Sequence, residues 1–260
     1  KARLCVQGCA QTAGVDFDQT FCAAMRASSL RMLASVAARE SLFMRRWDFV
    51  AAYLQGELLE DEVVYCHPPP GFTRVGAGGA LCNDGGSHQK SHVCRVEKPI
   101  YGMAQAGRRW QRSIFPWLLE QGFTQSESDT CVFIKRRGKD LLLVGCYVDD
   151  LFTLYADDGP DSLYHEFTTA LVKRWKVEDE GEINDLLNVE ISREGSKVVL
   201  RQTNYINKLV ADHLPDGVPH SFHANQAPAD TDLAQIVADI LTAKSDPAFS
   251  DSIDPKLRVR

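Results

Sequence analysis

The sequence predicts an α+β chain, with helices packed on an antiparallel sheet, from three observations. Apolar residues alternate between helical and strand spacing with no internal repeat. Two apolar runs, CVFIKRR and DLLLVGCYV, flank Gly138 at the separation of a β-hairpin. A chain of 260 residues with 44% hydrophobic content can also bury a substantial core.

Taken in order, Ser28 and Ser29 are placed to cap a helix through LRMLASVAARE, and FMRRWDFV reads as a strand ending at Asp48. AAYLQGELL suggests a short helical turn, and EVVYCHP a strand stopped by Pro68, Pro69 and Pro70. Residues 73–92, rich in Gly and Ser, read as a flexible loop. GRRWQRSIFPWLLEQGF has helical spacing, with Pro116 predicting a kink or a break. Beyond the Gly138 hairpin come a helix from Ser162 to Trp175 and two strands, LLNVEIS and KVVLRQ, around the turn Glu194, Gly195, Ser196. After Pro215 the pattern weakens into Asp, Ala, Pro and Ser, which predicts a loosely ordered tail.

Composition narrows the function. No apolar run approaches the roughly 18 residues of a membrane span, so no membrane partner is expected. The opening KARLCVQG lacks an initiator Met and a signal-peptide core, and reads as a piece of a longer polypeptide. Eight cysteines, of which Cys131 and Cys146 sit in apolar runs, fit a reducing compartment. Cys82, His88, His92 and Cys94 form the most metal-like grouping, but their spacing matches none of the usual zinc patterns. Net charge is −6, yet residues 1–150 carry 18 Lys and Arg against 16 Asp and Glu, so the acidity is mostly C-terminal. The clusters Arg108, Arg109, Arg112 and Lys135, Arg136, Arg137, Lys139 could meet phosphates or be solvated faces.

The most informative residues are Tyr147, Val148, Asp149 and Asp150, at the tip between LLLVGC and LFTLY. Two adjacent carboxylates between buried strands cost free energy unless a cation or proton offsets them, and a divalent metal is the usual answer. If the Asp48 strand neighbours this hairpin, three carboxylates converge, the arrangement that holds two Mg²⁺ ions for in-line phosphoryl transfer. Successive strand residues face opposite ways, so Asp48 and Asp149 are expected to carry most of the ligation and Asp150 to be secondary.

A resemblance adds to this reading. KARLCVQGCAQ resembles KARLVAKGYSQ, GVDFDQTF resembles GIDYDETF, and WDFVAAYLQGEL resembles MDVKTAFLNGEL; PPPGF resembles PEGF, VCRVEKPIYGMAQAGRRW resembles VCKLKKSLYGLKQAPRAW, and YVDD is the polymerase signature. In this order the blocks resemble the reverse transcriptase of copia-type LTR retrotransposons over roughly the whole chain. The resemblance implies a right-hand polymerase, with fingers at 1–45 and 69–105 (the insertion 73–92 included), palm at 46–68 and 106–202, and the start of a thumb or connection at 203–260, the thumb largely missing. It implies an RNA-directed DNA polymerase that extends a primer on an RNA or DNA template with deoxynucleoside triphosphates, using two Mg²⁺ ions or Mn²⁺ in their place. Asp48, Asp149 and Asp150 would be catalytic and metal-binding, with the Phe49 carbonyl a further ligand. Tyr53 matches the aromatic that excludes a ribose 2′-hydroxyl, Gln105 and Tyr147 match residues near the nucleotide, and Lys1 and Arg3 match residues that meet the triphosphate.

Such a domain would be joined to integrase and RNase H in a Gag-Pol polyprotein, working in cytoplasmic virus-like particles, with nuclear entry open. The chain departs from the family at Ala104, Gly107, Asn188 and Glu178, the last where a Lys is common, leaving Lys176 or Lys173 as a general acid. Asn188, standing for a Gly, still tolerates a positive φ. The alternatives are a catalytically inactive or domesticated fold that binds nucleic acid or a protein partner, and a zinc-organised module around Cys82 to Cys94.

Overall fold

β-branched and aromatic side chains suit a pleated, packed surface, and here the central strands are apolar on both faces. In the computed structural model, which describes residues 3–69, 74–75, 81–82, 93–186 and 188–213, the chain divides into two units, Lys1–Gln202 and Thr203–Arg260. After a 3₁₀ turn at Gly8–Ala10 come α1 (Ala27–Arg39), β1 (Phe43–Phe49), α2 (Ala52–Gln55), β2 (Tyr65–Cys66), β3 (Arg74–Val75), β4 (Leu81–Cys82), β5 (Cys94–Arg95) and α3 (Ala106–Glu120). There follow β6 (Thr124–Gln125), β7 (Val132–Arg137), β8 (Asp140–Tyr147), β9 (Asp150–Tyr155), α4 (Leu163–Arg174), β10 (Val177–Glu182), β11 (Asp185–Leu186), β12 (Val189–Glu194) and β13 (Lys197–Arg201). The second unit begins with α5 (Thr203–His213), which buries none of its residues.

The main sheet is antiparallel in the order β10-β1-β9-β8-β7-β6, so the Asp48 strand lies directly beside the hairpin, as expected. Trp47, Phe49, Val144, Cys146 and Leu151 point to one face and pack against Trp110, Ile114 and Leu118 of α3 and Leu163, Phe167 and Leu171 of α4. Met44, Leu143, Phe152 and Leu154 point to the other and pack against Leu30, Leu33 and Ala37 of α1 and against Leu186 and Ile191 of the small β11-β12-β13 sheet. Gly145 lies opposite Phe152, and a Cβ there would stand 2.0 Å from the Phe152 ring, so only glycine lets that ring cross the strand.

Several expectations are corrected. Neither Ser28 nor Ser29 caps α1: the cap position is Arg26, and both serines lie inside the first turn. The capping carboxylate comes from far along the chain, where Asp129 Oδ2 accepts from the Arg26 N–H at 3.0 Å and the Ser29 hydroxyl at 2.6 Å. β1 runs one residue past Asp48, to Phe49. Pro116 does not break α3, which continues to Glu120. Inside the 73–92 loop, β3 and β4 pair as a short antiparallel ladder. The edge strand β10, written VEDEGE, carries no apolar alternation and escapes the sequence pattern. The turns at Gly138 and Gly195 form as expected with φ of 63° and 61°, and Asn188 takes φ 60°. Lys1, His88, His92 and the tail after Pro215 lie outside the described residues.

Candidate active site

The register Tyr147↔Asp150 leaves Val148 and Asp149 as the two residues that turn β8 into β9. A two-residue hairpin turn needs positive φ, and Val148 supplies it at 52°, a conformation a β-branched residue adopts only under constraint. Two bonds hold the turn: Trp110 of α3 donates its indole N–H to the Val148 carbonyl at 2.8 Å, and the Phe49 N–H of β1 donates to the Asp149 carbonyl at 2.8 Å. Trp110 is itself locked edge-on against Phe49 and Trp175, with ring centroids 4.8 and 5.2 Å away. The turn is thus clamped from both the helix layer and the neighbouring strand.

Asp48 and Asp150 are direct cross-strand partners and so share one face, with Cβ atoms at roughly 5 Å. Glu178 stands opposite Asp48 on its other side, in β10. This density of negative charge is met by Arg46, two residues before Asp48 and on the same face. Its guanidinium approaches Asp150 at 2.8 Å, Glu180 at 3.1 Å and Asp185 at 3.1 Å. Asp149 is held differently. Its Oδ2 accepts from the Tyr101 hydroxyl at 2.9 Å, while Oδ1 is buried with no partner. Burial pushes its carboxyl above the usual range, with Asp48 and Asp150 adding to the rise against the opposing pull of the Tyr101 hydroxyl and Arg3. Burial first, then Asp149, push the Tyr101 phenol up, so it remains the donor.

Asp48, Asp149 and Asp150 are therefore gathered at one end of β1, β8 and β9. Among the described residues, however, no three His, Cys, Asp or Glu side chains stand close enough to hold a metal ion together, so the expected convergence is incomplete. The donors suit a hard divalent cation, since carboxylate oxygens are the ligands Mg²⁺ and Mn²⁺ prefer. The unpartnered Asp149 Oδ1 is an orphan that such an ion would satisfy.

Tyr53 stands beside this group, its ring 4.5 Å from that of Tyr101, and Arg3 lies over the Tyr101 ring at 4.2 Å. The other expected site residues have their own partners. Gln105 is 0% exposed, donating to Glu62 Oε1 at 2.8 Å and the Asp16 carbonyl at 3.2 Å and accepting from Gln11 at 3.1 Å. These bonds make it a brace of the protein interior. Tyr147 packs half-buried on the α1-side core, and Phe49, expected to serve through its carbonyl, follows Asp48 at the end of β1 with its ring in the α3-side core. Arg109, grouped with phosphate-meeting cations, is buried against Glu62 at 2.6 Å, close but bent away from hydrogen-bond geometry. Lys135 and Arg137 pair with Glu166. Sequence reasoning missed Arg46 and Tyr101. Each lies inside a quoted block, RRWD and IYGMAQ, but only three-dimensional pairing distinguishes it from its neighbours.

A helix-backed antiparallel sheet that carries paired carboxylates at a clamped hairpin suits a class, the proteins that hold divalent metal ions for phosphoryl transfer. A family model described as "Reverse transcriptase (RNA-dependent DNA polymerase)" matches residues 1–217, and the chain belongs to the reverse transcriptase family. It is 34% identical over 211 residues to the retrovirus-related Pol polyprotein from transposon RE1 of Arabidopsis thaliana, covering 81% of this chain and 13% of that protein. It is 31% identical over 213 residues to that from transposon TNT 1-94 of Nicotiana tabacum, covering 81% and 15%. With the Ty1-BR Gag-Pol polyprotein of Saccharomyces cerevisiae identity is 23% over 208 residues, covering 76% and 10%. The chain thus spans only a small part of the length of these relatives. No solved structure matches it. The family uses divalent metal ions in general.

Proposed function

We propose that this chain is the polymerase part of a retrotransposon Pol polyprotein and adds deoxynucleotides to a primer 3′ end on an RNA or DNA template. The observation that carries this is the clamped turn, which presents the half-buried Asp149 with an unpartnered oxygen beside the register pair Asp48 and Asp150. A divalent cation, Mg²⁺ or Mn²⁺, held by these carboxylates and the Phe49 carbonyl would supply Lewis-acid activation of the primer hydroxyl and charge neutralisation at the leaving pyrophosphate.

The remaining roles belong to the chain itself. Tyr53 presents its ring where the sugar of an incoming nucleotide would lie and rejects a 2′-hydroxyl by bulk. Arg3, exposed and cationic, meets the triphosphate. The six-stranded sheet with α3 and α4 serves as the palm. The segments around β2, β5 and the 3₁₀ turn serve as fingers, and the unit from Thr203 begins a thumb or connection. The template strand specifies the base by pairing, and the protein grips backbone and shape. In the parent polyprotein the neighbours would be integrase and RNase H.

The test is primer extension on poly(rA)/oligo(dT) with Mg²⁺ or Mn²⁺, with Asp149→Asn alongside. Incorporation of dTTP should fall by orders of magnitude in the variant. A wild-type chain that binds the primed template yet incorporates nothing, or a variant as active as wild type, would sink the proposal.

A further inference from the structure

Tyr101 connects three elements of the site that the sequence treats separately. Its hydroxyl donates to Asp149 Oδ2 at 2.9 Å, its ring lies 4.5 Å from that of Tyr53, and its outer face carries the Arg3 guanidinium at 4.2 Å. Its own backbone is pinned. The Tyr101 carbonyl accepts from the Val6 N–H at 2.9 Å, and the next residue, Gly102, takes φ 93° with the Val6 carbonyl 2.0 Å from where a Cβ would stand. Only glycine allows that approach, so the turn bearing Tyr101 is pressed onto the N-terminal segment and its ring has a fixed origin.

The two ends of the side chain do different things. The hydroxyl claims one carboxylate oxygen of Asp149 and leaves the other, Oδ1, as the orphan, so it selects the oxygen that is free for a cation. Outer-shell partners of this kind fix the orientation of metal ligands. The ring, with the Tyr101 backbone behind it, stands against Tyr53 and limits how far that aromatic can retreat. We propose that Tyr101 is a positioning residue with two separable roles: its hydroxyl orients Asp149 toward a divalent cation, and its ring sets the position at which Tyr53 meets the sugar. This rests on the polymerase reading above.

The roles come apart under two substitutions. Tyr101→Phe removes the hydroxyl and keeps the ring, whereas Tyr101→Ala removes both, and Tyr101→Leu keeps bulk without a planar ring should the alanine variant lose its folding transition. Mn²⁺ binding to the protein without nucleic acid, read by electron paramagnetic resonance, should weaken about tenfold in Tyr101→Phe. The ratio of kcat/KM for dTTP over UTP on poly(rA)/oligo(dT) should stay within about twofold of wild type in that variant and fall about tenfold in Tyr101→Ala or Tyr101→Leu. Unchanged or tighter Mn²⁺ binding in Tyr101→Phe overturns the first role. An unchanged ratio in the alanine or leucine variant overturns the second, and a general loss of folding in Tyr101→Phe overturns both in favour of a purely structural residue. If the wild-type chain neither binds Mn²⁺ nor extends a primer, the polymerase reading itself fails; if it does both and the variants match it, only the assignment of Tyr101 fails.

Discussion

Asp149 is held at a cost. Burial raises its carboxyl pKa above the unfolded value, so the folded chain is penalised for every pH at which the group is ionised; only below the unfolded value is the penalty wholly absent. Asp149→Asn removes the charge and keeps an oxygen able to accept from Tyr101. We therefore expect this substitution, proposed above to lower incorporation, to raise Tm at pH 7 to 8 in metal-free buffer, with the gain shrinking as pH falls through the carboxylate range. Thermal unfolding followed by circular dichroism at two pH values checks this, and a lower Tm at pH 8 would show that the carboxylate is not a strained group. The sequence already displayed the pair as anomalous, because two acids between apolar strands need compensation. It could not show which acid is compensated by protein. Arg46, in contact with Asp150, and Tyr101, in contact with Asp149, are 104 and 48 residues away from them.

Among the elements, α1 illustrates why boundaries and caps are harder to read than helices themselves. Its apolar spacing is plain in LRMLASVAARE, yet its N-terminus is satisfied by Asp129, 103 residues beyond Arg26. Asp129 also accepts from the Cys131 N–H at 3.0 Å, so one carboxylate fixes the start of a helix and the entry to β7. Asp129→Ala leaves these donors unpaired and should destabilise the protein by about 2–3 kcal/mol, measured by urea unfolding. A cost under about 0.5 kcal/mol, the range of an ordinary surface substitution, would contradict that bracing role. The hairpin β8–β9 was legible because Gly138 and the apolar runs are local signals. The edge strand β10 was not, since after Val177 it is polar and pairs with β1 through the backbone ladder and the ion pairs Arg45–Asp179 at 2.7 Å and Arg46–Glu180 at 3.1 Å.

At the scale of the whole molecule, acid should unfold the chain early. Burial pushes Asp129 and Asp179 upward, but hydrogen bonds outweigh it: Ser29, Arg26 and Cys131 hold Asp129 below its ordinary pKa, and Arg45 with Gly181 does the same for Asp179. Glu166 is lowered chiefly by Lys135, though its exposure makes its contribution small. A depressed folded pKa stabilises above the unfolded value and loses that contribution as pH falls through the folded one. Tm should therefore drop between about pH 4 and pH 2, with Asp129→Ala flattening the drop. A profile equally steep in the variant would place the acid sensitivity elsewhere. The α+β class and the antiparallel sheet were recoverable from periodicity, and the order of the blocks gave the family. The buried polar braces were not, because Gln105 and the pair Arg109–Glu62 read in sequence as surface or ligand-facing groups and become interior only when α3 closes over residues 16 and 62.

The short pairing of β2 with β5 sets Cys66 directly across from Cys94, so the chain leaves and rejoins the body at nearly the same point. The segment 67–93 lies in sequence between these two paired positions. Lengthening it adds only the slow logarithmic cost of closing a longer loop. A fluorescent or affinity module inserted between Cys66 and Cys94 is expected to leave the β1–β9 register that pairs Asp48 with Asp150 intact.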